Sequence, residues 1–181
     1  MRDEPFSIIR VRTRAGLDDR HRTRGLLLAG GRAIPVALGR TGIRPDKREG
    51  DGATPAGRFR PVRLWWRADR MPRPRTRLPV RRIAPDVAWS EDPRDRRYNR
   101  PFRRTANEAG DRLWRDDHLY DLIIEIDHNV RPRVARRGSA VFLHVMRPDG
   151  GPTAGCVAFG ARDLRRLLER LGPKTRIYIS F

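Results

Sequence analysis

The stretch "SAVFLHVMRPDGGPTAGCVAFG", residues 139–160, decides how the chain is read. Its opening, "SAVFLHV", has the apolar composition of a strand, and "RPDGGPTAG" after it has that of a loop. In a strand, Val141, Leu143 and Val145 share one face while Ala140, Phe142 and His144 share the other. His144 then projects from a rigid element near its end. The loop is long enough to return the chain beside the strand it left, which places the only cysteine, Cys156, within reach of His144.

A thiol beside an imidazole is a nucleophile with its base, since a thiolate forms when the ring takes the proton and stays as a cation. Gly155 lets the backbone bend with no Cβ in the way, so that N–H groups there can point at a developing oxyanion. A third group has to orient the imidazole, and spacing leaves Ser139, a carbonyl near Gly138 or a residue from elsewhere open. The residues alone equally allow a plain reading, in which Cys156 is a small apolar side chain buried within "CVAF".

Outward from this stretch the chain reads as mostly β. "FSIIRVR" (6–12), "RFRPVRLWW" (58–66), "YDLIIEID" (120–127) and "IYISF" (177–181) are strands by composition, and "LLLAGGRAIPVAL" (26–38) is a hairpin about Gly30-Gly31. "ARDLRRLLERLG" (161–172) carries Leu164, Leu167, Leu168 and Leu171 at helical spacing, so it is one amphipathic helix. Residues 39–59 form a Gly-, Pro- and Asp-dense loop. From 67 to 119 the sequence is rich in Arg and Pro, which predicts a loop-rich insert or lid. The expected fold is one domain, 1–181, a β-sandwich with one or two short helices and this insert over a groove.

Adjacent Trp65 and Trp66 must face opposite ways, one into the core and the other exposed or covered by the insert. Tyr98, Asn99, Tyr120, Asp121 and Asn129 are candidate groove-lining residues, with turn chemistry and packing as the alternative for each. His118 and His128 show no metal-ligand spacing with His144 and Cys156, so no metal is expected.

The net charge of +19 is almost wholly arginine, since Lys47 and Lys174 are the only lysines. Such a surface attracts polyanions, and a basic binding module with an inert thiol is the reading from charge alone. No recognition helix or aromatic-interleaved motif accompanies the charge, so no specific nucleic acid is expected. One cysteine forbids an internal disulfide. The N-terminal "MRDEPFSIIRVRTRAG" has no apolar signal core, and no run approaches the roughly 18 apolar residues of a membrane span.

"FLHV" followed by "TAGCVA" resembles the catalytic signature of the YkuD-type L,D-transpeptidases, in which a histidine precedes a Ser/Thr-x-Gly-Cys segment. "ATPAGRF" (53–59) resembles their Thr-Pro-x-Gly-x-Phe segment, and the resemblance extends over 26–66 and 119–181. It implies an L,D-transpeptidase-like β fold with Cys156 as nucleophile, His144 as base and then acid, and Gly155 with Cys156 as backbone oxyanion donors. Thr153 takes the Ser/Thr position, and it joins Ser139, Tyr98, Asn99, Tyr120 and Asn129 as a candidate substrate contact.

The chain departs from the family pattern at Val145, where many members have Gly, in its short loop to the cysteine, and at Ala158, where many have Arg. The implied reaction is acyl transfer on peptidoglycan stem peptides: Cys156 attacks the third-position diamino acid and D-alanine leaves. The acceptor is an amine on a second stem, a D-amino acid or a protein, and water makes the enzyme a carboxypeptidase or endopeptidase. No cofactor is implied. The resemblance implies the cell envelope, while the start of the chain shows no export signal, so a cytoplasmic location stays open.

Overall fold

The computed structural model describes residues 4–14 and 22–181, so the reading of the N-terminal segment lies partly outside the described residues. The first strands are β1 (Ile8–Thr13), β2 (Arg24–Ala29), β3 (Arg32–Ala37), β4 (Ile43–Arg44), β5 (Thr54–Pro55), β6 (Gly57–Phe59) and β7 (Pro61–Trp66). Then come β8 (Val80–Arg82), β9 (Val87–Trp89), β10 (Pro101–Arg103), β11 (Asp111–Arg112), β12 (Leu122–Ile126), β13 (Phe142–Val145) and β14 (Val157–Phe159). The helix α1 (Ala161–Glu169) and β15 (Arg176–Ser180) close the chain.

Ten strands make one sheet in the order β6-β15-β1-β2-β3-β14-β13-β12-β7-β8. Residue alternation gives that sheet two different faces. On one face Ile9, Val11, Leu27, Ile124, Leu143, Val157, Phe159 and Ile177 form the main core with Leu164, Leu167 and Leu168 of α1. The helix stops at Glu169, three residues short of its sequence expectation, but Leu171 stays in the same core. The β2-β3 hairpin turns on Gly30 and Gly31, both at positive φ, where a side chain would be strained.

On the other face the segment 67–119 covers only the β14-β13-β12-β7 half. That segment is not structureless: β10, β9 and β11 form a three-stranded sheet. Val87, Trp89 and Leu113 from it pack with Trp65, Ile123, Phe142 and Cys156 in a second cluster. Trp66 belongs to the main core and Trp65 to the covered face, so the insert is what buries the second tryptophan. Trp89 meets Phe142 edge-on with ring centres 4.9 Å apart, an arrangement favoured by the ring quadrupoles. The Gly-rich 39–59 loop is ordered by Asp51, whose carboxylate accepts from the Ala53 and Arg48 amides and the Lys47 ammonium.

Asn99 ties the two sheets together. Its Oδ1 accepts from the Trp89 indole at 2.9 Å and the Ala140 amide at 3.1 Å, and its Nδ2 donates to the carbonyls of His128 and Asn129. Asn99→Ala leaves these buried groups unpaired at a left-handed backbone position that asparagine tolerates best. The expected loss is about 3 kcal/mol, read as a lower urea midpoint with unchanged slope.

Candidate active site

The register of the central strands sets the site. β13 and β14 are parallel, with Leu143 beside Val157 and His144 beside Ala158. One step back, Cys156 lies beside Phe142, and the Phe142 amide donates to its Sγ at 3.3 Å. Cys156 and His144 therefore stand on neighbouring strands and on the same face, offset by two residues. Both line a cleft of about 330 Å³ between that face and the insert.

The loop before the cysteine is pinned at several points. Thr153 Oγ1 donates to the Cys156 carbonyl at 2.7 Å and accepts from the Gly155 amide at 3.1 Å. Thr54, fully buried, donates to the same carbonyl at 3.3 Å and itself accepts from the Gly39 amide. This gives "ATPAG" a physical role that its sequence does not show, since Thr54 is 102 residues from its partner. Gly155 has φ +147°, and a Cβ there would sit 2.8 Å from the Ala53 carbonyl oxygen, so no side chain fits this position.

The orienting group for the imidazole is a carbonyl, but not the one near Gly138. His144 Nδ1 lies 2.7 Å from the Val145 carbonyl oxygen. A carbonyl only accepts, so Nδ1 carries the proton and Nε2 is left with its lone pair. Tyr120 stacks edge-on against the ring at 5.3 Å and donates its hydroxyl to Asp111 at 2.8 Å.

The protonation states differ from the thiolate–imidazolium pair expected from the sequence. Burial pushes the Cys156 thiol up to about 12, with the Asp111 and Glu91 charges adding to it. Burial likewise pulls His144 down to about 4, and the Arg115 charge works in the same direction. Both groups are therefore neutral near pH 7, and the thiol donates to the Ala140 carbonyl at 3.2 Å. Desolvation penalises either ion, and it outweighs the Phe142 amide and the Lys47 charge that favour the thiolate.

The depressed His144 value sets a stability window. Between its ordinary 6.5 and about 4 the unfolded chain binds a proton that the folded chain does not. Stability is therefore complete above this window and falls as pH drops through it, by about 3 kcal/mol. His144→Gln is expected to remove that part of the slope, measured as the difference in urea midpoints at about pH 7 and about pH 4 between the two proteins.

The cleft carries charges of both signs. Arg40, Lys47, Arg115 and Arg147 line it together with Glu49, Glu91 and Asp111. Glu91 is raised to about 7 by desolvation and by the Asp111 and Glu49 charges. Ala158 also lines the cleft, beside His144. None of the seven charged residues was singled out from sequence, because each reaches the cleft from a loop or insert whose path the sequence leaves open.

The YkuD model of the L,D-transpeptidase catalytic domain matches residues 18–179. The chain belongs to the YkuD L,D-transpeptidase family. No curated protein and no solved structure gives a match. The family match spans 67–119 of this L,D-transpeptidase domain, the stretch that the motif resemblance leaves uncovered.

Of the sequence candidates, Cys156, His144, Gly155, Thr153, Ser139 and Tyr120 line the cleft of the domain. Asn99 lies behind it as a brace, and Tyr98 donates its hydroxyl to Glu49 at 2.5 Å. Asn129 closes its own turn, with Nδ2 donating to the Val134 and Gly138 carbonyls. His118 pairs with Asp121 and His128 with the Arg137 carbonyl. Among the described residues no group of three or more His, Cys, Asp or Glu is placed to hold a metal ion, and no helix is long and apolar enough to cross a membrane.

Proposed function

We propose that the enzyme is a peptidoglycan L,D-transpeptidase that forms a thioester between Cys156 and the third-position diamino acid of a tetrapeptide stem. The observation that carries this reading is the placement of His144 in β13 and of Cys156 just ahead of the parallel strand β14, both lining one cleft with basic and acidic residues.

The chemistry follows from the hydrogen bonds. The neutral thiol leaves the Ala140 carbonyl and passes its proton to Nε2 of His144 as Sγ attacks the stem carbonyl. The Val145 carbonyl steadies the resulting imidazolium. The oxyanion forms next to the Cys156 amide, while the Gly155 amide is engaged with Thr153. His144 returns the proton to the departing D-alanine amine; it then takes a proton from the acceptor amine as that amine attacks the thioester, and gives it to Sγ as the thiol leaves.

The cleft offers charges of both signs to the substrate. Arg40, Lys47, Arg115 and Arg147 suit stem carboxylates in a cleft where Ala158 stands at the position of the family pattern's arginine. Glu49, Glu91 and Asp111 suit an ammonium, which favours an amine acceptor over water. Incubation with tetrapeptide stems should release D-alanine and yield cross-linked dimers, resolved by mass spectrometry. Tripeptide as the sole product would move the reading to a carboxypeptidase, and no D-alanine release would end it.

A further inference from the structure

The catalytic half of the sheet face is covered by the insert, whereas the β6-β15-β1-β2-β3 half of the same face lies outside that cover. The strand register lays out what it presents. Across one row run Arg58, Tyr178, Arg10, Leu28 and Ala33; across the next run Ser180, Arg12, Leu26 and Pro35. These five strands contain no aspartate or glutamate. Arg10 lies over the Tyr178 ring at 5.8 Å.

Arginine is interleaved here with exposed apolar side chains. Large apolar residues exposed among the described residues are Ile8 at 40%, Leu28 at 38%, Val134 at 40% and Phe181 at 73%. Ile8 and Leu28 lie on this face, and Phe181 follows the end of β15. A shallow depression of about 360 Å³ lies between Ile8, Leu28, Ala33, Arg10 and Arg32.

We propose that this face docks the enzyme on an anionic lipid bilayer, with the arginines on lipid phosphates and Ile8, Leu28 and Tyr178 at the headgroup boundary. Guanidinium groups pair with phosphate oxygens in two-pronged fashion, and tyrosine and aliphatic side chains favour the interfacial layer. A nucleic acid would meet the arginines but leave the apolar side chains in water, so the mixture favours lipid.

The full chain is expected to co-sediment with vesicles containing phosphatidylglycerol, not with pure phosphatidylcholine, and to be released by salt. Each arginine near such a surface strengthens binding about fivefold. Arg10→Glu with Arg58→Glu should therefore weaken it by about a hundredfold or more, and Arg10→Gln with Arg58→Gln by about 25-fold. Arg162→Glu with Arg165→Glu makes the same charge change on the helix side and should weaken binding less than about tenfold.

Ile8→Ser with Leu28→Ser should lower the binding that survives at high salt. Equal losses in the two charge-reversal pairs, equal binding to neutral vesicles, or displacement from vesicles by a DNA duplex with no effect of the serine pair would overturn the proposal. Unchanged thermal unfolding shows that each variant is folded. Vesicle binding by Cys156→Ala should equal that of the native chain, so this test is independent of the acyl-transfer reading.

Discussion

Cys156→Ala is expected to abolish D-alanine release, a loss of at least about 10⁴-fold, while the protein stays folded. In the proposed reaction the loss is complete because the Cys156 thioester is what splits it into two easier steps. Folding survives because the side chain removed is small, and Cys156 contributes one sulfur atom to a cluster that includes Trp65, Trp89, Leu113, Ile123 and Phe142. A carbapenem, which acylates cysteine nucleophiles, should add its full mass to the native protein and none to the variant. An adduct of equal yield in Cys156→Ala would remove Cys156 from the mechanism.

His144→Gln comes next in size, with an expected loss of about 10²–10⁴-fold in turnover. Glutamine keeps a polar atom near the Val145 carbonyl but cannot take and return a proton at the Nε2 position. The thiol, already pushed up to about 12 by burial, then has no internal acceptor. Activity in the variant should therefore rise with pH well into the alkaline range, where solvent hydroxide substitutes for the base. The native enzyme should instead level off once His144 is neutral. A variant whose pH profile parallels the native one would show that His144 acts by packing alone.

These two expectations depend on neutrality in the resting site, which residue types do not reveal. A Cys-His pair in a sequence suggests an ion pair. The burial of both groups beneath 67–119 makes the neutral pair the lower state, because each ion would have to form with little water around it. The pair becomes reactive when a bound substrate accepts the charge that develops.

Much of the architecture was legible from local pattern. The alternation in "SAVFLHV" separates Val141 and Leu143 from Ala140 and Phe142, and the structure packs the first two in the main core and the other two in the second cluster. The leucine spacing at 164–171 predicted α1, and Gly30-Gly31 predicted the hairpin turn. The arginine-rich segment was harder to read. Its strands β8 to β11 are two or three residues long, too short for any periodicity to register, and they are ordered by contacts such as Trp89 with Asn99 that link distant parts of the chain.

Cys156, His144 and Gly155 stand out in the sequence because residue type and spacing within one supersecondary unit mark them as candidates, and the structure brings all three to one cleft. The partners around them do not stand out. The Val145 carbonyl that orients His144 belongs to the backbone, Thr54 reaches Cys156 across 102 residues, and the seven charged groups of the cleft come from β11 and five separate loops. Asn99 carried the signal of a groove contact and became a brace, because a buried indole and a buried amide needed its oxygen more than solvent did. Local pattern specifies which chemistry a strand can present. The desolvation, the charge of the walls and the proton's resting place depend on what the chain folds over that strand, and only the assembled sheet and insert decide them.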